Sequence, residues 1–437
     1  MLLPRELLRL FPGSQWIRAA SQAVGAHHGY FGRNHELSGA KPFFEGSDWS
    51  AARARLIDAY IDTLQPGAPP TVQQISLPAA AWLAGLTSVA DWIGSNLDWF
   101  PPGERADLLA EHYARAAELA ERALNDIGWP GFLPLLAENA ETDALIGRVL
   151  GRKSEPVEAR PLQQAADRLM DSASGPALII VEAPMGEGKT ELAFLAHLRL
   201  QAANGHRGLY VALPTQATGN AMFDRTLAFL KGFSPDIHLD IQLAHGGAML
   251  DERIHKLRGV NASEGEPISS SAWFSQRKRP LLSPYGVGTI DQALFATLHV
   301  KHHFVRLWGL ANRVVVLDEI HAYDTYTSGL IEALLRWLKA MNCSVVLMSA
   351  PFAGPPSLPS ASSASPSAPS EPRSCSGATP SPERSKSRPA APVSTPRAGL
   401  QAERTRSTST VSARPVTAKL GLAGSWKPKR ARPAIVP

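Results

Sequence analysis

Two spacings of apolar residues divide the first 350 positions of this 437-residue chain. Up to about residue 150, apolar side chains recur every three or four positions, which is the period of an amphipathic helix. Beyond residue 160, apolar runs of about four to six residues alternate with helical stretches, as in parallel strands covered on both faces. The sequence therefore predicts an α-helical region followed by an α/β domain with a parallel sheet. The helical sets are Leu56, Ile57, Tyr60, Ile61, Leu64 and Leu108, Leu109, Tyr113, Ala117, Leu119; the strand runs are Leu178–Val181, Leu209–Leu213, Val314–Leu317 and Val345–Met348.

The polar segment 151–160 follows neither period and is predicted to link domains at 1–150 and 161–350. Residues 351–437 hold 17 Ser and 16 Pro and show no apolar period. Such a composition buries too little apolar surface to offset its ordering entropy, so it predicts a disordered, low-complexity tail. Because the composition changes directly after the apolar run Val345–Met348, we also hypothesise that the tail is translated out of frame.

The net charge of +5 comes from that tail, which carries 13 Lys and Arg against 3 Asp and Glu. The first 350 residues are net acidic, so the basic pI is poor evidence for a nucleic-acid-binding fold. Two cysteines exclude a disulfide scaffold and a cysteine-rich zinc site. With no apolar run of about 18 residues and no signal-cleavage pattern, we expect a cytoplasmic protein without a membrane partner.

A glycine-rich segment, Ala183-Pro-Met-Gly-Glu-Gly-Lys-Thr190, follows the first apolar run and precedes a helical stretch. Strand, loop and helix in this order are the context of a phosphate-binding loop, and this form of it is common in superfamily 2 helicases. Glycines let backbone N–H groups turn toward phosphate oxygens, and the helix N-terminus adds the positive end of its dipole. Lys189 is predicted to reach the β- and γ-phosphates of ATP, and Thr190 to hold Mg²⁺. The ATP-binding residues predicted in this loop are Gly186, Glu187, Gly188, Lys189 and Thr190.

Acidic residues end another apolar run, Val314–Leu317, and supply the second half of the predicted site. Asp318 is predicted to hold Mg²⁺, and Glu319 to polarise the water that attacks the γ-phosphate. His321 is predicted to couple the nucleotide site to neighbouring motifs. With Lys189, these three residues form the predicted catalytic set.

Further positions fit a nucleotide-driven motor on nucleic acid. Gln163 lies shortly before the first strand, where superfamily 2 proteins often hold a Gln that reads adenine. In helicases, the segments matching Ala212–Gln216 and Gly288–Gln292 present hydroxyls and N–H groups to a phosphate chain, a contact independent of base sequence. Each segment taken singly also fits an ordinary turn after a strand. The predicted nucleic-acid contacts are Pro214, Thr215, Gln216, Thr289 and Asp291.

Three longer stretches resemble the helicase-nuclease of type I CRISPR systems: 212–223, 287–292 and 318–324. The resemblance covers residues 1–350. It implies an N-terminal HD-type metal nuclease joined to RecA-like helicase domains. It also implies antiviral degradation of single-stranded DNA, with an RNA-guided surveillance complex as the partner that recruits the enzyme.

In that family, the positions that match His27 and His28 bind one metal of a pair, and the position that matches Asp91 binds the other. Asp91 lies in an apolar helical run, where a buried, unpaired carboxylate would be costly unless it held a metal. Imidazole and carboxylate ligands suit Mn²⁺, Fe²⁺, Co²⁺ or Ni²⁺. The alternative interpretation is that His27 and His28 are ordinary surface histidines and that Asp91 is an exposed acid on a helix face.

Two parts of the family pattern differ here. The family's HD domain has a His and a His-Asp doublet before the position of His27, and this sequence has neither. Ser349 and Ala350 match the first two residues of the family's Ser-Ala-Thr motif, but Pro351 stands in the place of Thr. The resemblance therefore implies a chain truncated at both ends, which binds ATP without full unwinding or nuclease activity. An unrelated superfamily 2 ATPase and a nucleotide-dependent nucleic-acid-binding module stay open as alternatives.

Overall fold

A computed structural model describes residues 7–8, 11–32, 47–68, 71–103, 108–129, 131–132, 134–136, 138–152, 156–171, 173, 175–233, 239–245, 268–269, 271–276, 278–351 and 419–422. Within the predicted tail, 351–437, only Pro351 and Lys419–Leu422 belong to these residues. The rest of the prediction of a disordered tail lies outside the described residues.

The predicted helical region is confirmed. Its helices are α1 Trp16–Gly25, α2 Ser47–Leu64, α3 Leu77–Gly94, α4 Leu109–Ile127 and α5 Thr142–Val149, and a 3₁₀ turn, Ala26–His28, follows α1. Helix α3 begins where Ser76 accepts a hydrogen bond from the Ala79 N–H, and α4 ends at Gly128 in the left-handed conformation. No helix within the described residues is both long and apolar enough to cross a bilayer.

The apolar period identifies helices α2 and α4 correctly but does not identify the core. Leu56, Tyr60 and Leu64 on α2 and Tyr113 on α4 are exposed. The buried helix of this region is α3, whose inward face carries small residues such as Gly85. A Cβ on Gly85 would lie 2.4 Å from the Trp308 Cβ, so a glycine here permits close helix packing.

A mainly parallel sheet forms the second region, as predicted. Its strands are β1 Leu178–Glu182, β2 Leu209–Leu213, β3 Leu239–Ala244, β4 Ile268–Ser269, β5 Tyr285–Thr289, β6 Val314–Leu317, β7 Ser344–Ser349 and β8 Lys419–Leu422. The spatial order in the described part is β4-β3-β5-β2-β6-β7-β1-β8. All pairs are parallel except β1 with β8, which is antiparallel.

Helices cover both faces of this sheet: α6 Pro161–Asp171, α7 Lys189–Asn204, α8 Gln216–Phe233, α9 Ile290–Leu294, α10 His303–Leu310 and α11 Thr325–Ala340. Helices α5 to α8 share one hydrophobic cluster with the sheet. Helices α1, α3 and α4 join α9, α10 and α11 in a second cluster. The N-terminal helices therefore pack mainly against one face of the α/β domain, with α3 against α10.

Candidate nucleotide site and histidine turn

The glycine-rich loop joins β1 to α7, as predicted. Gly186 and Gly188 have φ values of +86° and +77°, a region that favours glycine because it has no Cβ. A Cβ on Gly188 would also lie 2.4 Å from the Gln163 Nε2. Both the backbone conformation and this contact therefore require a glycine at position 188, where α7 begins.

Two backbone carbonyls hold the Lys189 ammonium. Its Nζ donates to the Ala183 oxygen at 2.8 Å and to the Ser349 oxygen at 3.3 Å. Ser349 is the last residue of β7 and pairs with Glu182 of β1. The ammonium thus lies beneath the loop, at the ends of two adjacent strands.

Asp318 and Glu319 follow β6, next to β7 in the sheet. Asp318 is buried, and its Oδ1 accepts a 2.8 Å hydrogen bond from the Glu319 N–H. Burial raises the pKa of Asp318, and the Glu319 charge adds to this, while Lys189 and Arg225 oppose it. Glu319 has φ +53°, a left-handed and strained conformation for a residue with a side chain, directly after the strand.

His321 links the second acid to the end of β7. Its Nδ1 lies 3.3 Å from the Ala350 N–H, which donates to it, and its Nε2 lies 3.3 Å from the Glu319 Oε2. Because Nδ1 accepts, a neutral ring carries its proton on Nε2 and donates to Glu319. The Ser349 hydroxyl also lies 3.3 Å from Nδ1.

Lys189, Asp318 and Glu319 line one cavity of about 810 Å³. Apolar residues from α5 and from the predicted linker form another part of its wall, so segment 151–160 takes part in the site. The division into domains at residues 150 and 160 stays a prediction. The wall includes Gln163, Gly186, Gly188, Lys189, Thr190, Asp318 and Glu319, with Ile146, Leu150, Pro156 and Val157.

Gln163 is buried against the loop rather than exposed at the surface. Its Oε1 accepts from the Arg160 N–H at 2.9 Å, and its Nε2 donates to the Gly188 oxygen at 3.2 Å. Arg160 also reaches the Gly186 carbonyl and lies 3.9 Å from the Glu187 carboxylate. Recognition of adenine by Gln163 stays a prediction.

Sequence reasoning missed Arg225, which lies on α8 and lines the cavity. Its guanidinium donates to the Thr190 hydroxyl at 3.0 Å and pairs with Glu191. Thr190, the predicted Mg²⁺ ligand, is thus already hydrogen-bonded to a cation. Only the folded sheet brings α8 beside α7, so no local sequence signal indicates this contact.

The predicted nucleic-acid residues lie together at one edge of the sheet. Leu213 pairs with Thr289 across β2 and β5, so Pro214–Gln216 and Thr289–Asp291 leave neighbouring strands side by side. The Thr215 hydroxyl accepts from the Thr218 N–H at 3.3 Å at the start of α8. Thr215, Gln216 and Asp291 are exposed, whereas Thr289 is buried. Contact with nucleic acid stays a prediction.

Ala26–His28 and Gly29 form what we call the histidine turn. The His27 Nδ1 lies 2.7 Å from the Val24 oxygen, to which it donates in the tautomer that leaves Nε2 free to accept. The His28 ring is exposed, 4.1 Å from the His27 ring between centroids. Gly29 has φ +125°, and its carbonyl accepts from the His302 N–H at 2.8 Å.

The expectation that Asp91 is buried is wrong. Helix α3 turns Ala84, Gly85 and Ser88 inward, and Asp91 falls on the exposed side. Among the described residues, no three His, Cys, Asp or Glu side chains are placed to hold a metal ion. Metal ligation by His27, His28 and Asp91 therefore stays a prediction.

His302 was also missed by sequence reasoning. It is buried beside the histidine turn, has φ +59°, and its Nδ1 has no hydrogen-bond partner. Burial, and then the charges of Lys278, Lys301 and Arg306, lower the pKa of His302 to about 4. A neutral imidazole with three nearby cations therefore adjoins the turn.

Comparison with known proteins identifies both regions. Residues 2–100 match the Cas3 HD domain, and residues 160–356 match the DEAD/DEAH box helicase domain. The CRISPR-associated endonuclease/helicase Cas3 of Thermus thermophilus is 46% identical over 350 residues, covering 77% of this chain and 36% of that protein. The chain belongs to the Cas3 family. The Cas3 of Escherichia coli is 31% identical over 348 residues, covering 75% and 37%.

Solved Cas3 structures agree with this. The T. fusca Cas3–AMPPNP crystal structure aligns with a TM-score of 0.68 at 32% identity, covering 80% of this chain and 38% of that one. A chain of a pre-nicking CRISPR RNA-guided surveillance complex aligns with a TM-score of 0.52 at 31% identity, covering 80% and 35%. The chain thus spans little more than a third of the length of these Cas3 relatives. The matches of this chain to an HD domain and to a helicase domain imply use of a nucleotide and of a divalent metal.

Proposed function

We propose that residues 161–350 bind ATP with Mg²⁺, and that the chain contributes to ATP-driven movement on single-stranded DNA and to cleavage of that DNA. The partner is an RNA-guided type I CRISPR surveillance complex, in antiviral defence. One observation carries the proposal: Lys189, Thr190, Asp318 and Glu319 line the same cavity. A cationic, a hydroxyl and two carboxylate groups at strand ends suit a nucleoside triphosphate with its cation.

The residues present fit that ligand. The cavity, about 810 Å³, lies within the range of roughly 300–1,000 Å³ common for ligand sites. The positive φ values of the loop glycines would let backbone N–H groups turn toward phosphates. The carbonyls that hold Lys189 are neutral acceptors that a phosphate oxygen can replace. Thr190 and Asp318 would hold Mg²⁺, which neutralises charge that develops on the phosphates.

Chemistry at this site requires a base near the γ-phosphate. Glu319 follows the strand end and has a strained backbone conformation. Its carboxylate accepts a hydrogen bond from the His321 Nε2–H in the tautomer derived above. This contact fixes the carboxylate so that it can accept a proton from the attacking water. Lys189 stabilises negative charge on the leaving and transferred phosphates.

At the histidine turn, we propose a single borderline transition ion, Mn²⁺, Fe²⁺, Co²⁺ or Ni²⁺. The Nε2 of His27 and the exposed ring of His28 would supply two imidazole ligands. Asp91, on the adjoining helix α3, would add a carboxylate only if its exposed side chain moved, because the described residues hold no preformed set of three ligands. This donor set suits such ions. At the sheet edge, the Thr215 hydroxyl and neighbouring N–H groups would bind DNA phosphates without reading bases.

Calorimetry with ATP and Mg²⁺ tests the central proposal. Lys189→Ala should weaken binding about 30–150-fold, because roughly 2–3 kcal/mol of charge-assisted hydrogen bonding is lost. Lys339→Ala, on α11 and outside the cavity wall, is the matched control and should bind ATP as the wild type does. Equal affinity for ATP in the Lys189 variant and the wild type would disprove the nucleotide site.

A further inference from the structure

Arg225, on α8, is a charged side chain of the nucleotide cavity to which the proposed function gives no role. Its guanidinium donates to the Thr190 hydroxyl through Nη1 at 3.0 Å and to the Glu191 carboxylate through Nη2. Both acceptors lie in the first turn of α7, directly after the phosphate-binding lysine. The guanidinium therefore joins α8 to the part of α7 that would meet the triphosphate.

The charge of Arg225 also acts on Asp318. Burial raises the pKa of Asp318, and Arg225 opposes this rise, as Lys189 does. Thr190 and Asp318 are the two side chains proposed above to hold Mg²⁺. The structure thus places one guanidinium near both of the proposed metal ligands.

A guanidinium and Mg²⁺ compete for the same groups. Both are attracted to a hydroxyl oxygen and to a carboxylate, and a guanidinium has no acceptor through which it could itself bind a metal. Two cations that share the Thr190 oxygen repel each other. Mg²⁺ also requires near-octahedral geometry, with its oxygen ligands at about 2.0–2.1 Å. Coordination of Thr190 by Mg²⁺ would therefore displace the Arg225 Nη1 from the hydroxyl.

Glu191 can keep the displaced guanidinium nearby. Its carboxylate is 16% exposed and lies in the first turn of α7, where the helix dipole stabilises a negative charge. The Arg225 side chain is 48% exposed, so Nη1 can turn toward water when it leaves the hydroxyl. Displacement therefore breaks one of the two hydrogen bonds described above and leaves no buried charge without a partner.

We propose that Arg225 is a positioning residue for the cation: it competes with Mg²⁺ for Thr190 and Asp318, and thereby sets how strongly nucleotide binding depends on Mg²⁺. The proposal rests on the proposed function, since it concerns the same cavity. Removal of the guanidinium should favour nucleotide that carries Mg²⁺ and disfavour nucleotide that does not.

Calorimetry of a non-hydrolysable ATP analogue with the full chain tests this competition, once in saturating Mg²⁺ and once in EDTA. In Mg²⁺, Arg225→Gln should lower the Kd about three- to tenfold, which is the effect of removing a competitor that holds the site in roughly 70–90% of molecules. In EDTA, the same variant should raise the Kd, because a positive charge beside the triphosphate is lost and no metal replaces it. The effect should therefore change sign between the two conditions.

Arg160→Gln is the matched control, because it removes the same charge from the same cavity. Arg160 is 53% exposed and lies 3.9 Å from Glu187, and its other contact is to the Gly186 carbonyl rather than to Thr190. Loss of this charge should raise the Kd in both conditions. Arg225→Lys keeps the charge without the planar fork that reaches two acceptors, so its Kd in Mg²⁺ should fall between those of Arg225→Gln and the wild type.

The Kd in Mg²⁺ decides the outcome. A higher Kd for Arg225→Gln would mean that Arg225 binds the phosphates, and an equal Kd would mean that it only joins α8 to α7; either result overturns the proposal. A fall of equal size in EDTA also overturns it, since no metal competes there. Thermal unfolding without nucleotide confirms that each variant is folded.

Failure of this proposal is distinguishable from failure of the proposed function. If the wild type does not bind the analogue in either condition, the nucleotide site itself is wrong. If the wild type binds and Arg225→Gln does not lower the Kd in Mg²⁺, only the competition is wrong.

Discussion

The nucleotide site and the histidine turn were predicted from equally short motifs, yet the structure brings together the predicted residues of only the first. Around the nucleotide cavity, the predicted residues come from strand ends and meet in one place. At the histidine turn, His27 and His28 are adjacent, but Asp91 is exposed and no metal-binding set of three forms among the described residues. Both sites contain a glycine with positive φ, so backbone strain does not explain the difference.

The difference comes from how each site is assembled. Parallel strands place their carboxyl ends at one sheet edge, so residues at the ends of β1, β6 and β7 converge whenever the sheet forms. A site built from helix faces depends on how each helix is rotated, which an apolar run does not determine. Asp91 illustrates this, because the apolar run around it is largely a face of small residues packed on α10.

The largest expected effect concerns the nucleotide site, whose residues the sheet brings together. Thr190→Ala should weaken Mg²⁺-dependent ATP binding about 10–100-fold, which is the usual cost of disturbing the coordination of a metal. ATP affinity measured in EDTA should change little. Thr190→Ser keeps the hydroxyl, and Thr63→Ala removes one on helix α2, outside the cavity wall; both serve as controls. A loss of equal size in EDTA would place Thr190 on the phosphate rather than on the cation.

The next effect compares the two glycines. Gly29→Ala should destabilise the chain by about 1–3 kcal/mol, because φ +125° is strained for alanine and the new Cβ would lie 2.5 Å from the Lys301 Cγ. Gly186→Ala has φ +86° but no atom within 4 Å of the new Cβ, so it should cost less. Urea unfolding measures both. A larger loss at Gly186 would show that the histidine turn is not held against Lys301.

A smaller effect is expected from metal binding at the histidine turn. Titration with Ni²⁺ followed by calorimetry should show weak binding of one ion, and His28→Ala should weaken it roughly tenfold. His112→Ala, an exposed histidine on α4, is the control and should bind Ni²⁺ as the wild type does. Tight binding of two ions would mean that the turn is as fully assembled as the nucleotide site.

The smallest effect concerns Asp318. Its raised pKa means that the folded chain holds the proton more tightly than the unfolded chain does, so ionisation lowers stability. This cost is absent below the ordinary pKa of aspartate and is complete once the pH exceeds the raised value. Asp318→Asn should therefore raise the Tm at pH 7, measured without nucleotide, by less than about 2–4 °C. The gain should disappear in acid.

Much of the α/β domain could be predicted because its strands are continuous apolar runs. Strands β2 and β6 have the predicted bounds, Leu209–Leu213 and Val314–Leu317. Strand β3 was missed because Asp240 and Gln242 interrupt its apolar pattern. Both are buried, and the Gln242 amide donates to Asp240 at 3.0 Å, while the Ser271 N–H donates to Asp240 at 2.6 Å. The Ser271 partner lies 31 residues from Asp240 and therefore leaves no local signal.

The same distinction applies to the candidate sites. Lys189 and Thr190 could be predicted from the sequence because they belong to one short loop motif. Asp318 and Glu319 could be predicted because they directly follow an apolar strand. Arg225 and His302 reach their sites only through packing between distant elements.

The carbonyls that hold the Lys189 ammonium give an incoming phosphate an internal competitor. ATP can contact the ammonium only while the lysine is released from these carbonyls. The apparent affinity for ATP is therefore the intrinsic affinity multiplied by the fraction of molecules in which the lysine is released. The Ser349 oxygen also accepts from the Ala183 N–H at 3.2 Å, and the next residue, Ala350, donates to His321. The end of β7 therefore contacts the lysine on one side and the histidine on the other. When phosphate takes the ammonium, the Ser349 oxygen loses one of its two donors and keeps the Ala183 N–H. The His321–Glu319 contact can respond to this change through a single peptide unit.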